Sequence, residues 1–209
     1  MKTRMILALT TLGTLAASSA FAQEPGSAPT AASPKMRVAA QVEMLPVGSG
    51  KATIDDTSMT QDAAIAYGVT GTFDYALTPY LSIGVAPRLI LNVISDDADN
   101  DESADKELDL RARVLGHYAV APKLELYAAL MPGYAIVLSG TDGVDNSSGF
   151  AIGGAAGVTY DVSPRLFVGG EVGYQRAFTS NDITVGNQTV SADLSLSYMH
   201  VGLGAGTRF

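Results

Sequence analysis

Eight long segments of the chain alternate between large apolar residues and small or polar residues. They cover approximately residues 36–47, 63–77, 80–93, 107–120, 123–138, 149–162, 165–178 and 193–209. A period of two residues places successive side chains on opposite faces of a β-strand, and helical spacing fits these segments poorly. They exceed the ~5–6 residues of a typical globular strand, and such lengths suit strands that cross a membrane at a tilt. The pattern therefore predicts an all-β fold.

A recurring phrase lies between three pairs of these segments. It has the pattern Tyr, any residue, Leu or Val, a small residue, Pro, any residue, Leu, and its prolines are Pro79, Pro122 and Pro164. Proline lacks a backbone N–H and presets φ for a tight turn, so it belongs at a connection between strands. A phrase that recurs at a nearly constant period indicates one structural unit used repeatedly. The phrase thus predicts three short hairpin turns.

The remaining connections are longer and polar. They are residues 48–62, 94–106, 139–148 and 179–192, and the second is strongly acidic. Short turns at one end and long loops at the other are typical of bacterial transmembrane barrels. A soluble up-and-down barrel has no need of this asymmetry.

Each segment has a large apolar face and a face of glycine, alanine and charge. In the second segment, for example, Tyr67 and Phe73 alternate with Gly68 and Asp74. The charged face is also the glycine-rich face, as expected where a narrow interior must hold long polar side chains. These features predict that the charged face points into the barrel and the apolar face points to lipid.

Aromatic residues near both ends of the segments support this assignment. The turn-end set is Tyr75, Tyr118, Tyr160 and Phe209, and the loop-end set is Tyr67, Tyr134, Phe150 and Phe178. Rings at two levels form the girdles that mark the two membrane interfaces. From Phe150 to Tyr160 the predicted height is about 25 Å, at ~3.3 Å per residue and a tilt of roughly 40°. This matches the apolar band of an outer-membrane barrel.

The inward face carries a near-balanced set of charges, together with His117 and His200. Its candidate ion-pair residues are Arg37, Glu43, Asp74, Arg88, Asp109, Arg111, Arg113, Glu125, Asp161, Glu171 and Arg208. Eight strands enclose an interior just wide enough for side chains to fill, and buried charges must be paired. We therefore expect ion pairs to close the lumen. The alternative is a gated pore in which Arg111, Arg113 and Glu171 exchange partners.

Composition, motif spacing and strand parity argue against several other functions. A net charge of −8 argues against nucleic acid as a partner, and the absence of cysteine excludes disulfides and thiolate metal sites. The acidic segment departs from a calcium-binding EF-hand, because Glu102 and Leu108 stand where Gly and Glu are required. Ser197 has the opposite parity to His200, so no nucleophile–base pair is evident. We expect no metal, no cofactor and no enzymatic activity.

The N-terminal residues predict export. Lys2 and Arg4 precede an apolar stretch, and Ala20, Phe21 and Ala22 form a small-x-small cleavage pattern. The predicted organisation is a signal peptide over residues 1–22, a flexible leader over 23–34 and a barrel over 35–209.

These segments and proline turns resemble the small outer-membrane barrels of the outer-membrane protein A and X type. Phe209 follows alternate apolar residues, including Val201 and Leu203, which is similar to the family's assembly signature; Thr207 departs from it. The resemblance implies an eight-stranded antiparallel up-and-down transmembrane β-barrel in a Gram-negative outer membrane. It also implies a monomer that contacts outer-membrane lipid, lipopolysaccharide and, during biogenesis, the barrel-assembly machinery.

The resemblance does not fix an activity, because one fold hosts several. We expect a structural or surface-exposed role. The alternatives are a narrow passive pore for small solutes and, less favoured, a soluble exported barrel that binds an apolar ligand or a lipid-modifying enzyme.

Overall fold

The computed structural model describes residues 35–54, 57–63, 65–91, 106–139, 146–185 and 188–209. The predicted signal peptide (1–22), the predicted leader (23–34) and the acidic segment (95–105) lie outside the described residues. Within the part that is described, no helix is long and apolar enough to cross a membrane.

The described chain forms β-strands connected in sequence order. They are β1 (Met36–Ile54), β2 (Thr57–Asp62), β3 (Ala66–Thr78), β4 (Leu81–Leu91), β5 (Lys106–Ala121), β6 (Leu124–Leu138), β7 (Ser147–Asp161), β8 (Leu166–Val185) and β9 (Gln188–Arg208). Neighbouring strands pair antiparallel in the order β2-β1-β3-β4-β5-β6-β7-β8-β9, and β1 also pairs with β9. That last pairing closes a ring of eight strands, with β2 attached to β1 alone. The predicted eight-stranded antiparallel barrel is confirmed.

Short turns join the strands at the three prolines, as predicted. At the first turn Thr78 Oγ1 accepts a hydrogen bond from Tyr80 N (3.2 Å), and at the third Ser163 Oγ accepts one from Leu166 N (3.1 Å). Met36 and Phe209 exchange two backbone hydrogen bonds of 3.2 and 2.9 Å at this end of the barrel. At this end of the barrel, side-chain hydrogen bonds hold the first and third turns, and backbone hydrogen bonds join the first and last strands.

The prediction that residues 48–62 are a connection outside the strands is wrong. β1 continues to Ile54 and pairs with β2, so most of this segment is a hairpin that extends the barrel wall. A bulge between Met44 and Val47 places one extra residue in β1 relative to β9. It coincides with Pro46, which has no backbone N–H to donate to the neighbouring strand. β8 and β9 likewise extend through most of 179–192. These extensions are rich in polar residues, so the apolar alternation used to predict strands is weak in them.

The wall separates the two predicted faces. Large apolar side chains on the outer face are exposed, whereas the charged side chains of the other face are buried inside the ring. Part of the interior is apolar, in two clusters. The one toward the loop end includes Leu45, Ile90, Val137, Leu196 and Tyr198, and the other is formed by Leu115, Ala129, Met131 and Ala155. The polar side chains described next pack around these clusters.

Candidate functional site: the polar lumen

Arg88 is the centre of the polar layer nearest the loops, and its side chain is fully buried. Its Nη2 lies 2.5 Å from Glu43 Oε2, and its Nη1 lies 3.9 Å from Asp109 Oδ2. Nη1 also donates a 2.7 Å hydrogen bond to Gln175 Oε1. One guanidinium thus joins three other strands of the ring.

Three sets of hydrogen bonds cross the full diameter of the barrel. In the ring order, β1 lies opposite β6, β4 opposite β8 and β5 opposite β9. Across these diameters Tyr198 Oη donates to Glu107 Oε2 (2.7 Å), Arg88 donates to Gln175 (2.7 Å), and Arg37 donates twice to Glu125 (2.5 and 2.8 Å). Opposite walls are in direct polar contact at several positions along the lumen.

The middle of the lumen is organised around Glu171 on β8. Its carboxylate accepts a 2.6 Å hydrogen bond from Tyr127 Oη and lies 3.3 Å from His200 Nε2. Arg113 lies 2.5 Å from Asp74 and 3.9 Å from Glu171. Arg113 therefore contacts one carboxylate closely and has a second within salt-bridge distance.

Glycine on the inward face lets these partners meet across an intervening strand. Gly84 stands in register between Asp74 on β3 and Arg113 on β5. A Cβ at Gly84 would lie 2.1 Å from the carbonyl oxygen of Phe73 and 2.5 Å from Asp74 Oδ1. Gly157 stands in the same way between Tyr127 and Glu171. This explains why the charged face and the glycine-rich face of the sequence coincide.

The turn end of the lumen contains the last group of charges. Arg208 pairs with Asp161 and packs over the ring of Phe167. Arg208 Nη2 also lies 3.9 Å from Glu125, the carboxylate held by Arg37. A cavity of about 40 Å³, which has room for a water molecule or two, is lined here by residues that include Arg37 and Phe167.

Ser82, His117 and Glu125 form a hydrogen-bonded series that the sequence analysis missed. Ser82 Oγ lies 3.1 Å from His117 Nε2, and His117 Nδ1 lies 3.4 Å from Glu125 Oε2. A serine, a base and an orienting carboxylate are the parts of a nucleophilic triad. Here, however, Ser82 is only 1% exposed and Glu125 is held by Arg37. This favours mutual satisfaction of buried polar groups over catalysis.

The structure brings together the predicted charges, with one exception. Arg111 is buried in the same layer as Arg88, but no carboxylate among the described residues lies within salt-bridge distance of it. It donates instead to Gln175 Oε1 (3.0 Å) and to Thr70 Oγ1 (3.5 Å). Its expected ion pair is thus replaced by neutral acceptors. Among the residues that the structure describes, no group of three or more side chains is arranged to hold a metal ion.

Several lumen residues were not predicted, although parity could have found them. They are Glu107, Tyr127, Gln175 and Tyr198, which share a face with predicted charges on their own strands. Gln175 Nε2 donates to both Glu107 (3.1 Å) and Asp109 (2.7 Å), so an uncharged side chain links two acids. The prediction overlooked one charged residue, Glu107, and the neutral donors that lie between the charges.

The predicted turn-end aromatic residues lie on the outer wall. Tyr75, Tyr118, Tyr160 and Phe209 are 41%, 45%, 48% and 67% exposed, respectively. At the loop end Tyr134, Phe150 and Phe178 are neighbours in register on three adjacent strands. Both sets therefore present rings to the surroundings of the barrel.

Comparison with solved structures places this architecture among small outer-membrane barrels. Neisserial surface protein A is 14% identical, with a TM-score of 0.54 over 83% of this chain and 97% of that one. OprG from Pseudomonas aeruginosa is 13% identical, with a TM-score of 0.62 over 85% and 96%. Outer membrane protein AlkL is 16% identical, with a TM-score of 0.53 over 90% and 96%. At these identities the likeness shows the fold alone.

Among curated proteins, nothing matches the chain. A family model described as the outer membrane protein beta-barrel domain matches residues 7–209. This agrees with the closed ring of strands, the exposed apolar wall and the polar interior. The chain belongs to the outer membrane protein beta-barrel domain family.

Proposed function

We propose that this protein is a structural or surface-exposed barrel of the outer membrane whose lumen is closed by side chains. The observation that carries the proposal is the set of polar contacts across the diameter, above all the paired hydrogen bonds between Arg37 and Glu125. Opening the lumen would separate buried charges from their partners, which is strongly unfavourable. A closed barrel is the arrangement that these contacts stabilise.

The protein lies in the outer membrane in this proposal, with its turn end and its loop end on opposite sides. An N-terminal signal peptide directs export, the short turns face the periplasm and the long loops face outward, as is usual for this class of barrel. The exposed apolar wall contacts membrane lipid and lipopolysaccharide, and the barrel-assembly machinery inserts the protein. The folded protein acts as a monomer and performs no enzymatic step.

Liposome swelling tests the closed lumen. Purified protein is reconstituted into liposomes that are then diluted into isosmotic solutions of arabinose, glucose or glycine. The expected swelling rate equals that of empty liposomes, with a general porin as the positive control. Swelling above that baseline for the smallest solute would refute a closed barrel.

A narrow passive pore is the second candidate, and one observation favours it. Arg113 lies 2.5 Å from Asp74 and 3.9 Å from Glu171. A short movement of its guanidinium would therefore exchange one carboxylate partner for the other. An Asp74→Asn variant that conducts, while Glu171→Gln does not, would support this switch. If neither variant alters permeability, the pore has no support from this pair.

A further inference from the structure

Arg176 is a charged residue on the outer wall of the barrel. It lies on β8 between the exposed residues Tyr174 and Phe178, on the face opposite the lumen residue Gln175. A cation facing hydrocarbon is costly, whereas one at the membrane interface can extend its head group toward water. The height of Arg176 relative to the apolar band therefore decides whether its guanidinium can reach the membrane interface.

Arg176 lies just inside the loop-end edge of that band, two residues before Phe178 of the loop-end aromatic set. Counting from Leu166 at the turn end of β8, its Cα is about 25 Å up the wall, at ~3.3 Å per residue and a tilt of roughly 40°. Lys51 is in register, through Ser195, with Phe178, which lies two residues beyond Arg176 toward the loop end, a rise of about 5 Å at ~3.3 Å per residue and a tilt of roughly 40°. The two cations thus span the level at which the head groups of the outer leaflet begin.

The side chain of Arg176 extends toward the loop end. Its guanidinium carbon lies 4.7 Å from the centre of the Phe178 ring, and its Nε donates a 3.2 Å hydrogen bond to Ser195 Oγ. Ser195 is in register with Phe178 on one side and with Lys51 on the other. The row of aromatic residues at the loop end is thus continued around the wall by a hydroxyl and a lysine.

These residues line an open groove of about 400 Å³ across β8, β9 and β1. Asp193 also lines it, so two cations face one carboxylate and the groove carries a net positive charge. No carboxylate of the described residues lies within salt-bridge distance of Arg176 or Lys51. Nε of Arg176 donates to Ser195, which leaves the two terminal nitrogens as donors, and a guanidinium presents such a pair in a geometry that matches phosphate.

We propose that this groove binds a phosphate of the lipid A head group of lipopolysaccharide. Arg176 supplies a bidentate contact, Lys51 a second charge and Ser195 a hydroxyl, while the adjacent wall holds the acyl chains. The inference rests on the proposed orientation, in which the loop end of the barrel faces the outer leaflet. It goes beyond that proposal because it assigns the ligand to one side of the barrel.

Native mass spectrometry of the detergent-solubilised full chain tests this site with three lipids. They are bis-phosphorylated lipid A, the same lipid A after enzymatic dephosphorylation, and phosphatidylglycerol. We expect bis-phosphorylated lipid A to bind at least about tenfold more tightly than either of the others, which corresponds to about 1.4 kcal/mol. Equal binding of the phosphorylated and dephosphorylated forms would overturn the proposal, and so would equal binding of phosphatidylglycerol.

The matched variants separate the site from net charge. The double variant Arg176→Gln/Lys51→Gln should lose that tenfold preference. Lys123→Gln/Arg165→Gln makes the same change of charge at exposed positions of the short turns and should retain it. A preference that survives the first pair, or disappears equally with both pairs, would refute the groove as the binding site.

Folding and the closed lumen can be checked independently of lipid binding. All four substituted positions are exposed, so each variant should keep the heat-modifiable gel mobility of a folded barrel. A barrel that conducts ions yet shows the lipid preference would contradict the proposed closed lumen and leave this site standing. A closed barrel without the preference would refute only this site.

Discussion

Removing the guanidinium of Arg88 should destabilise the barrel more than any comparable change at its surface. The Arg88→Met variant keeps much of the side-chain volume but leaves Glu43 and Asp109 without their cation. Glu43 would retain the 2.5 Å hydrogen bond from Thr70, and Asp109 the 2.7 Å hydrogen bond from Gln175. Breaking a buried ion pair from one side costs about 3–5 kcal/mol. We expect a loss of that order in the free energy of unfolding.

Urea titration of protein folded into lipid vesicles measures this loss, with the folded fraction read from gel mobility. Arg165→Met is the control, because this exposed turn arginine should change the free energy of unfolding by less than about 0.5 kcal/mol. Adding Glu43→Gln to Arg88→Met should restore part of the loss, with a coupling energy of about 0.5–3 kcal/mol. A loss below about 1 kcal/mol for Arg88→Met, with no coupling, would mean that lumen water rather than Arg88 satisfies these carboxylates.

Three further predictions concern the lumen and the wall. Gly84→Ala should lower the yield of folded barrel in a refolding assay, because its methyl group would overlap the Phe73 carbonyl and overpacking costs about 1–3 kcal/mol. Gly116→Ala is the control and should fold normally, because its methyl group would lie 4.0 Å from its nearest neighbour. Tyr118→Asp should reduce membrane yield, because it places charge at a lipid-facing interface position, whereas normal yield would contradict the assignment of faces. Ser82 should remain unlabelled by a fluorophosphonate probe in the folded protein, and labelling that requires His117 would contradict a purely structural role.

The architecture was predictable because barrel strands repeat simple local rules. Alternation separates the two faces, and each proline turn fixes where one strand ends and the next begins. The extensions were not predictable from these rules. In β8 and β9, for example, Thr184 pairs with Thr189 and Asp182 with Ser191, so pairing continues through residues that the sequence analysis assigned to a polar connection. Backbone hydrogen bonds and register, rather than apolar alternation, define those residues as strand.

Which inward side chains contact each other could not be predicted without the closed ring of strands. Parity places Arg88 and Gln175 on the inward face, but their contact depends on β4 and β8 being opposite each other at matching heights. The contact between Ser82 and His117 depends in the same way on the register of β4 against β5. Register is set by turns, bulges and closure together, and the alternation of a single strand does not contain it.

Single-channel recording in planar bilayers tests the closed lumen most directly. The wild-type protein should show no conductance steps over a wide voltage range. The double variant Arg37→Ala/Glu125→Ala removes the pair that joins β1 to β6 at the turn end, yet should also remain closed, because Arg88–Gln175 and Tyr198–Glu107 still cross the diameter. Only removal of all three contacts is expected to give conductance. Discrete, reproducible openings of the wild-type protein would contradict the central claim that side chains close this barrel.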